Sequence, residues 1–67
     1  MIAGALVEYT DALCNRIRGV VDRVDETGRV YICTRQVNRY GRRRARRVII
    51  WFDAHEVDRL RLIEDPT

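Results

Sequence analysis

Two tight turns, each closing on a glycine, do most to restrict what these 67 residues can form. Asp25-Glu26-Thr27-Gly28 and Arg39-Tyr40-Gly41 each suit a type I turn followed by a left-handed residue. Glycine fills that last position because it has no Cβ. The turns separate three runs, RIRGVVDRV at 16–24, Val30-Tyr31-Ile32-Cys33, and Val48-Ile49-Ile50-Trp51-Phe52. All three are rich in β-branched or aromatic residues and read as strands. Chain joined so tightly pairs antiparallel with its neighbour.

The turns also predict a register. The first sets Val24 opposite Val30. A three-residue loop at Arg39-Tyr40-Gly41 sets Val30 opposite Ile50 and Ile32 opposite Val48. Beyond these, Thr34, Gln36 and Asn38 would face Arg46, Arg44 and Arg42, with Arg35 facing Ala45 and Val37 facing Arg43. Val24, Val30, Ile32, Val48, Ile50 and Phe52 then share an inward face, because side chains alternate along a strand.

Upstream, GALVEYT at 4–10 alternates and predicts a first strand, with Ala5, Val7 and Tyr9 on one side. The loop 11–15 is expected to tuck Leu13 and Cys14 against the core. Gly19, inside the second strand, predicts a bulge or sharp bend. After Phe52, Asp53 and Glu56 are spaced as a capping box. Only one turn fits before Leu60, so a 3₁₀ turn is expected there. LRLIE at 60–64 makes a short fifth strand with Leu60 and Leu62 inward. One domain spans residues 1–67, and a chain this short buries only ~60% of its unfolded surface.

Charge is concentrated in one place. RQVNRYGRRRARR, residues 35–47, holds seven of the thirteen arginines and no acid. The remaining six arginines face all ten acids, so the rest of the chain is net −4 (6 − 10). There is no lysine. The same choice at Arg16, Arg18, Arg23, Arg59 and Arg61 marks the coding bias of a GC-rich genome, an actinobacterium or a phage or plasmid of such a host. The clustering, not the residue type, therefore carries the functional signal.

Strand, loop, bent strand, tight turn, long hairpin, 3₁₀ turn and short strand resemble, in that order, an SH3-like small barrel across residues 4–64. Gly19-Val20-Val21 followed by Val24 is similar to the G-x-V pattern that opens a KOW strand pair. The style is that of the KOW, Tudor-like and integrase C-terminal barrels associated with nucleic acid. The resemblance implies an all-β, five-stranded barrel with a long basic hairpin between the third and fourth strands. The paired tyrosines and proline of PxxP-binding SH3 domains are missing, which disfavours proline-rich ligands.

Two surfaces are candidates for function. In the basic hairpin, Arg35, Arg39, Arg42, Arg43, Arg44, Arg46 and Arg47 would contact phosphates, with Tyr40 at the tip able to stack on a base. A two-stranded ribbon fits the major groove of DNA, and an arginine-rich arm also orders on RNA. Neutralising about five phosphates predicts a log K against log salt slope of about −4 to −5. An acidic protein partner, or a solvated tip that merely protects an edge strand, accounts for the same charge. The second surface is the outer face of the fourth strand, where Tyr31, Ile49 and Trp51 would form an apolar patch. It would serve as a dimer contact, a partner site or a stacking platform, unless the N-terminal segment covers it.

Other chemistry is thinly represented. Cys14 and Cys33 lack CxxC spacing and His55 is the only histidine, so no metal set and no cofactor are expected. Cys33 is expected beside Arg47, without a positioned base. His55-Glu56 lacks the HExxH pattern. Asp22, Asp25 and Glu26 read as a solvated set offsetting Arg23 and Arg29, without the calcium-loop pattern. No enzyme, no small-molecule substrate and no membrane partner are expected. Residues 1–10 lack a charged leader region, which points to a cytoplasmic protein with reduced thiols.

Overall fold

The computed structural model describes residues 2–36 and 46–66, the side chains at 36 and 46 excepted. Five strands, β1 (Leu6–Thr10), β2 (Arg16–Val24), β3 (Val30–Gln36), β4 (Arg46–Phe52) and β5 (Arg61–Glu64), form one antiparallel sheet in the order β4-β3-β2-β1-β5. A 3₁₀ helix, Ala54–Arg59, precedes β5. The protein is therefore all-β. The sheet is open: among the described residues no ladder joins β4 to β5. It nonetheless curls, because Tyr9 on β1 and Phe52 on β4 meet edge to face across two intervening strands, their centroids 5.1 Å apart.

Inward alternation makes the core. Ala5, Val7, Val21, Val30, Ile32, Phe52 and Leu60 are buried, with Tyr9, Ile50 and Val57 packed against them. Among the described residues Thr34 is the buried polar side chain, and its hydroxyl donates to the Arg18 carbonyl at 2.9 Å. Val24 lies opposite Val30 as expected, yet at the strand end it stays exposed.

The β3–β4 register is displaced by two residues from the expected one. Val30 pairs with Phe52, Ile32 with Ile50, Thr34 with Val48, Arg35 with Arg47, and Gln36 with Arg46. A slip of two keeps every side chain on its face, so the inward set survives. The gain is a paired Phe52, which can then reach Tyr9. Thr34 consequently does not face Arg46, nor Arg35 Ala45. Cys33 lies opposite Ile49 rather than beside Arg47. The remaining expected partners, Val37, Asn38 and Arg42–Arg44, and the turn Arg39-Tyr40-Gly41 lie outside the described residues.

Gly19 is not the bend. The register shift in β2 falls between Val21 and Arg23, making Asp22 the extra residue. Gly19 instead permits close packing: a Cβ there would sit 2.5 Å from Ile32 Cγ2 and 2.9 Å from the Cys33 carbonyl oxygen. Gly19→Ala is expected to cost about 1–3 kcal/mol, the usual range for overpacking, read as a lower urea midpoint. An unchanged midpoint would show that β3 gives way freely.

Two aspartates build the short loops. Asp11 accepts the backbone N–H groups of Leu13 and Asn15, both at 2.9 Å, and Cys14 takes a left-handed φ of 63°. That geometry turns Leu13 out to 81% exposure and exposes Cys14, so neither tucks inward. Asp25 accepts from the Thr27 hydroxyl at 2.6 Å and from the N–H groups of Thr27 and Arg29, while Gly28 supplies the expected left-handed residue at φ 88°. The Thr27 hydroxyl, then the Arg29 and Thr27 amides, hold the Asp25 carboxyl below its ordinary 3.8. A carboxyl depressed by folding contributes stability above its unfolded value, and the contribution disappears as pH falls through the folded value. Asp25→Asn should therefore flatten the loss of thermal stability below about pH 4; an unaltered acid limb would contradict this.

The capping box does not form. Asp53 makes no side-chain cap bond and instead accepts from Arg29 at 2.8 Å, while Glu56 pairs with Arg59 at 3.4 Å. At the sheet edge Leu60 is buried, but Leu62 is 51% exposed. The β1–β5 ladder shifts register between Leu6 and Val7, which interrupts simple alternation there.

Candidate nucleic-acid interface

Outward alternation puts a second set of residues on the convex side of the sheet. From β3 these are Tyr31, Cys33 and Arg35; from β4, Arg47, Ile49 and Trp51. The β2–β3 ladder sets Val20 opposite Cys33, which carries Arg18 alongside Arg35. The β1–β2 ladder sets Leu6 opposite Val20 and Glu8 opposite Arg18. The face thus divides into an apolar band and a basic band, side by side.

The basic band surrounds a shallow concavity of about 620 Å³ whose lining includes Arg16, Arg18, Arg35 and Arg47 over Leu6, Val20 and Cys33. Arg35 and Arg47 are direct cross-strand neighbours and both exposed. Side chains so placed have Cβ atoms about 4.5–5.5 Å apart, and like charges there oppose folding. Glu8 bonds Arg18 at 3.1 Å. Among the described residues no ion pair reaches Arg16, Arg35 or Arg47. Four arginines and one glutamate leave this band at +3 (4 − 1), at the end of the sheet from which the arginine-rich segment departs.

In the apolar band Ile49 is 54% and Trp51 57% exposed. The N-terminal segment does not cover them. Gly4 donates its N–H to the Val21 carbonyl, and Ile2 lines a recess with Ala5, Leu62 and Asp65. Tyr31 is half-buried, with the Arg23 guanidinium 4.3 Å from its ring centroid and its hydroxyl donating to Asp25 at 3.2 Å. Arg29 lies 5.7 Å from the Trp51 centroid and is itself bonded to Asp53.

No family model, curated protein or solved structure matches this chain.

Of the expected arginines, the structure places Arg35 and Arg47 together, while the side chain of Arg46 and residues Arg39, Tyr40, Arg42, Arg43 and Arg44 lie outside the described set. Of the expected apolar group, Ile49 and Trp51 share an open face and Tyr31 is engaged by its neighbours. Arg16, Arg18, Leu6 and Val20 were missed. The alternation Arg16-Ile17-Arg18 already places both arginines on one side of β2, but joining them to Arg35 required the ladder.

Elsewhere, Asp53, His55 and Glu56 bring ligand atoms within 4.8 Å of one another. Their carboxylates already face Arg29 and Arg59. Both cysteines are free. Among the described residues no helix is long and apolar enough to cross a membrane.

Proposed function

We propose that this chain is an SH3-like small barrel that acts in the cytoplasm by holding the phosphate backbone of nucleic acid, with little base specificity. The strand order, the 3₁₀ turn before the last strand and the Tyr9–Phe52 contact support the barrel. The observation that carries the function is the exposed Arg35–Arg47 pair beside Arg16 and Arg18. Opposed guanidinium groups on a sheet disfavour folding, and a bound anion removes that penalty. The arginine-rich segment between β3 and β4 adds to the same charge.

The test is binding of random-sequence oligonucleotides of about 16 nucleotides, single-stranded and duplex, by fluorescence anisotropy at low salt. Binding to either supports the reading; no binding of either at low salt rejects it.

A second reading has its own observation, the exposed Ile49 and Trp51. It is an accessory protein-interaction module of phage or plasmid type, or a homodimer, using that apolar face and docking its arginines on an acidic surface. Sedimentation of the wild type and Trp51→Ala over a range of concentrations tests the dimer. A self-associating wild type made monomeric by the substitution favours it, and a wild type that is monomeric throughout removes it.

A further inference from the structure

The convex face has two halves, and a duplex could use only one of them. Duplex nucleic acid presents phosphates and groove edges while hiding the flat faces of its bases. Docked on Arg16, Arg18, Arg35 and Arg47, it would leave Trp51 and Ile49 against water or sugar. A single strand offers both chemistries at once, a charged backbone and unpaired aromatic faces. Here the two recognition surfaces are contiguous: Arg47 and Ile49 are outward neighbours on β4, and Arg35 and Cys33 are outward neighbours on β3.

The indole is placed for such a contact. Trp51 keeps 57% of its surface open although a guanidinium lies 5.7 Å from its centroid. Its edge-strand neighbours Ile49 and Ile50 form a shallow apolar recess with it. We infer that the convex sheet face binds single-stranded nucleic acid, with phosphates on Arg35 and Arg47 and a base stacked on Trp51. This rests on the nucleic-acid reading above and adds the strandedness of the ligand and the residue that senses it.

Trp51 is the sole tryptophan, so indole emission reports this position alone. The experiment titrates the full chain with oligo-dT, oligo-rU and a blunt duplex of equal length, following indole emission and anisotropy together. Single strands should quench the emission and bind at least about tenfold more tightly than duplex. The DNA and RNA arms show whether the sugar matters. Trp51→Ala should weaken single-strand binding by about 5- to 100-fold while leaving duplex binding in place, and Trp51→Phe should recover most of the loss. Circular dichroism of each variant verifies folding, which an exposed position should preserve. Duplex binding as tight as single-strand binding, with no quenching, would overturn the inference and leave the nucleic-acid reading standing. Failure of all three ligands to bind would instead remove that reading itself. Single-strand binding indifferent to Trp51→Ala would likewise refute the stacking role.

Discussion

Raising monovalent salt from about 50 to about 200 mM should weaken single-strand binding about a hundredfold. The figure follows from about five neutralised phosphates, a slope of about −0.7 per phosphate on single strands, and a fourfold change in salt. Duplex, at about −0.9 per phosphate, would fall more steeply from a weaker starting point. Replacing Arg35 and Arg47 by alanine removes two contacts, so the slope should become shallower by about 1.4. The same double variant should fold at least as stably as the wild type, because it relieves an opposed pair of like charges on the sheet surface. Affinity and stability moving in opposite directions would separate a binding residue from a structural one. A slope unaltered by the double substitution would place the phosphates on other arginines.

Ile32→Ala should bring the domain close to unfolding. Ile32 is fully buried at the centre of the sheet, opposite Val21 on one side and Ile50 on the other. Truncations of this kind cost about 2–5 kcal/mol through lost burial and a residual cavity. A chain of this length is stable by only about 3–10 kcal/mol in total. Chemical denaturation should show the midpoint collapsing, and binding should disappear with it. The cavity would open beside Gly19, where an added Cβ would point at Ile32 Cγ2. The double variant Gly19→Ala/Ile32→Ala should therefore be less unstable than the sum of the two single losses, since the added methyl enters the space the isoleucine leaves. Simple additivity would mean that the Cys33 carbonyl, not the isoleucine, limits Gly19.

Much of the fold was readable locally. β2 was anticipated at its observed bounds, and Gly28 closed its turn as its position implied. The 3₁₀ segment came between Phe52 and Leu60 as expected, but its six residues make about two turns where one was expected. Misreadings arose where a local rule met a distant partner. Asp53 takes the N-cap position its spacing implied, but its side chain forms no cap bond, because Arg29, brought near by the β-sheet, offers the carboxylate a charged donor. Leu13 looked like a core residue by hydropathy, but the Asp11 carboxylate organised its loop and turned it outward. Gly19 looked like a bend, when its role is to let β3 lie close. For the candidate interface, the arginine run announced a charged surface, while Arg16 and Arg18 carried no such signal on their own.

By itself the amino-acid order determined an antiparallel all-β chain, which residues of β1, β3 and β4 point inward, and where most of the positive charge lies. Those properties depend on alternation and turn chemistry, which act over a few residues. Only the tertiary structure decided the two-residue placement of β4 against β3, the register shift at Asp22, the open sheet edge, and the meeting of Arg16, Arg18, Arg35 and Arg47 beside an uncovered Trp51. Registers separated by two residues satisfy the same alternation, so the choice between them falls to core packing across the curled sheet, where Phe52 must reach Tyr9.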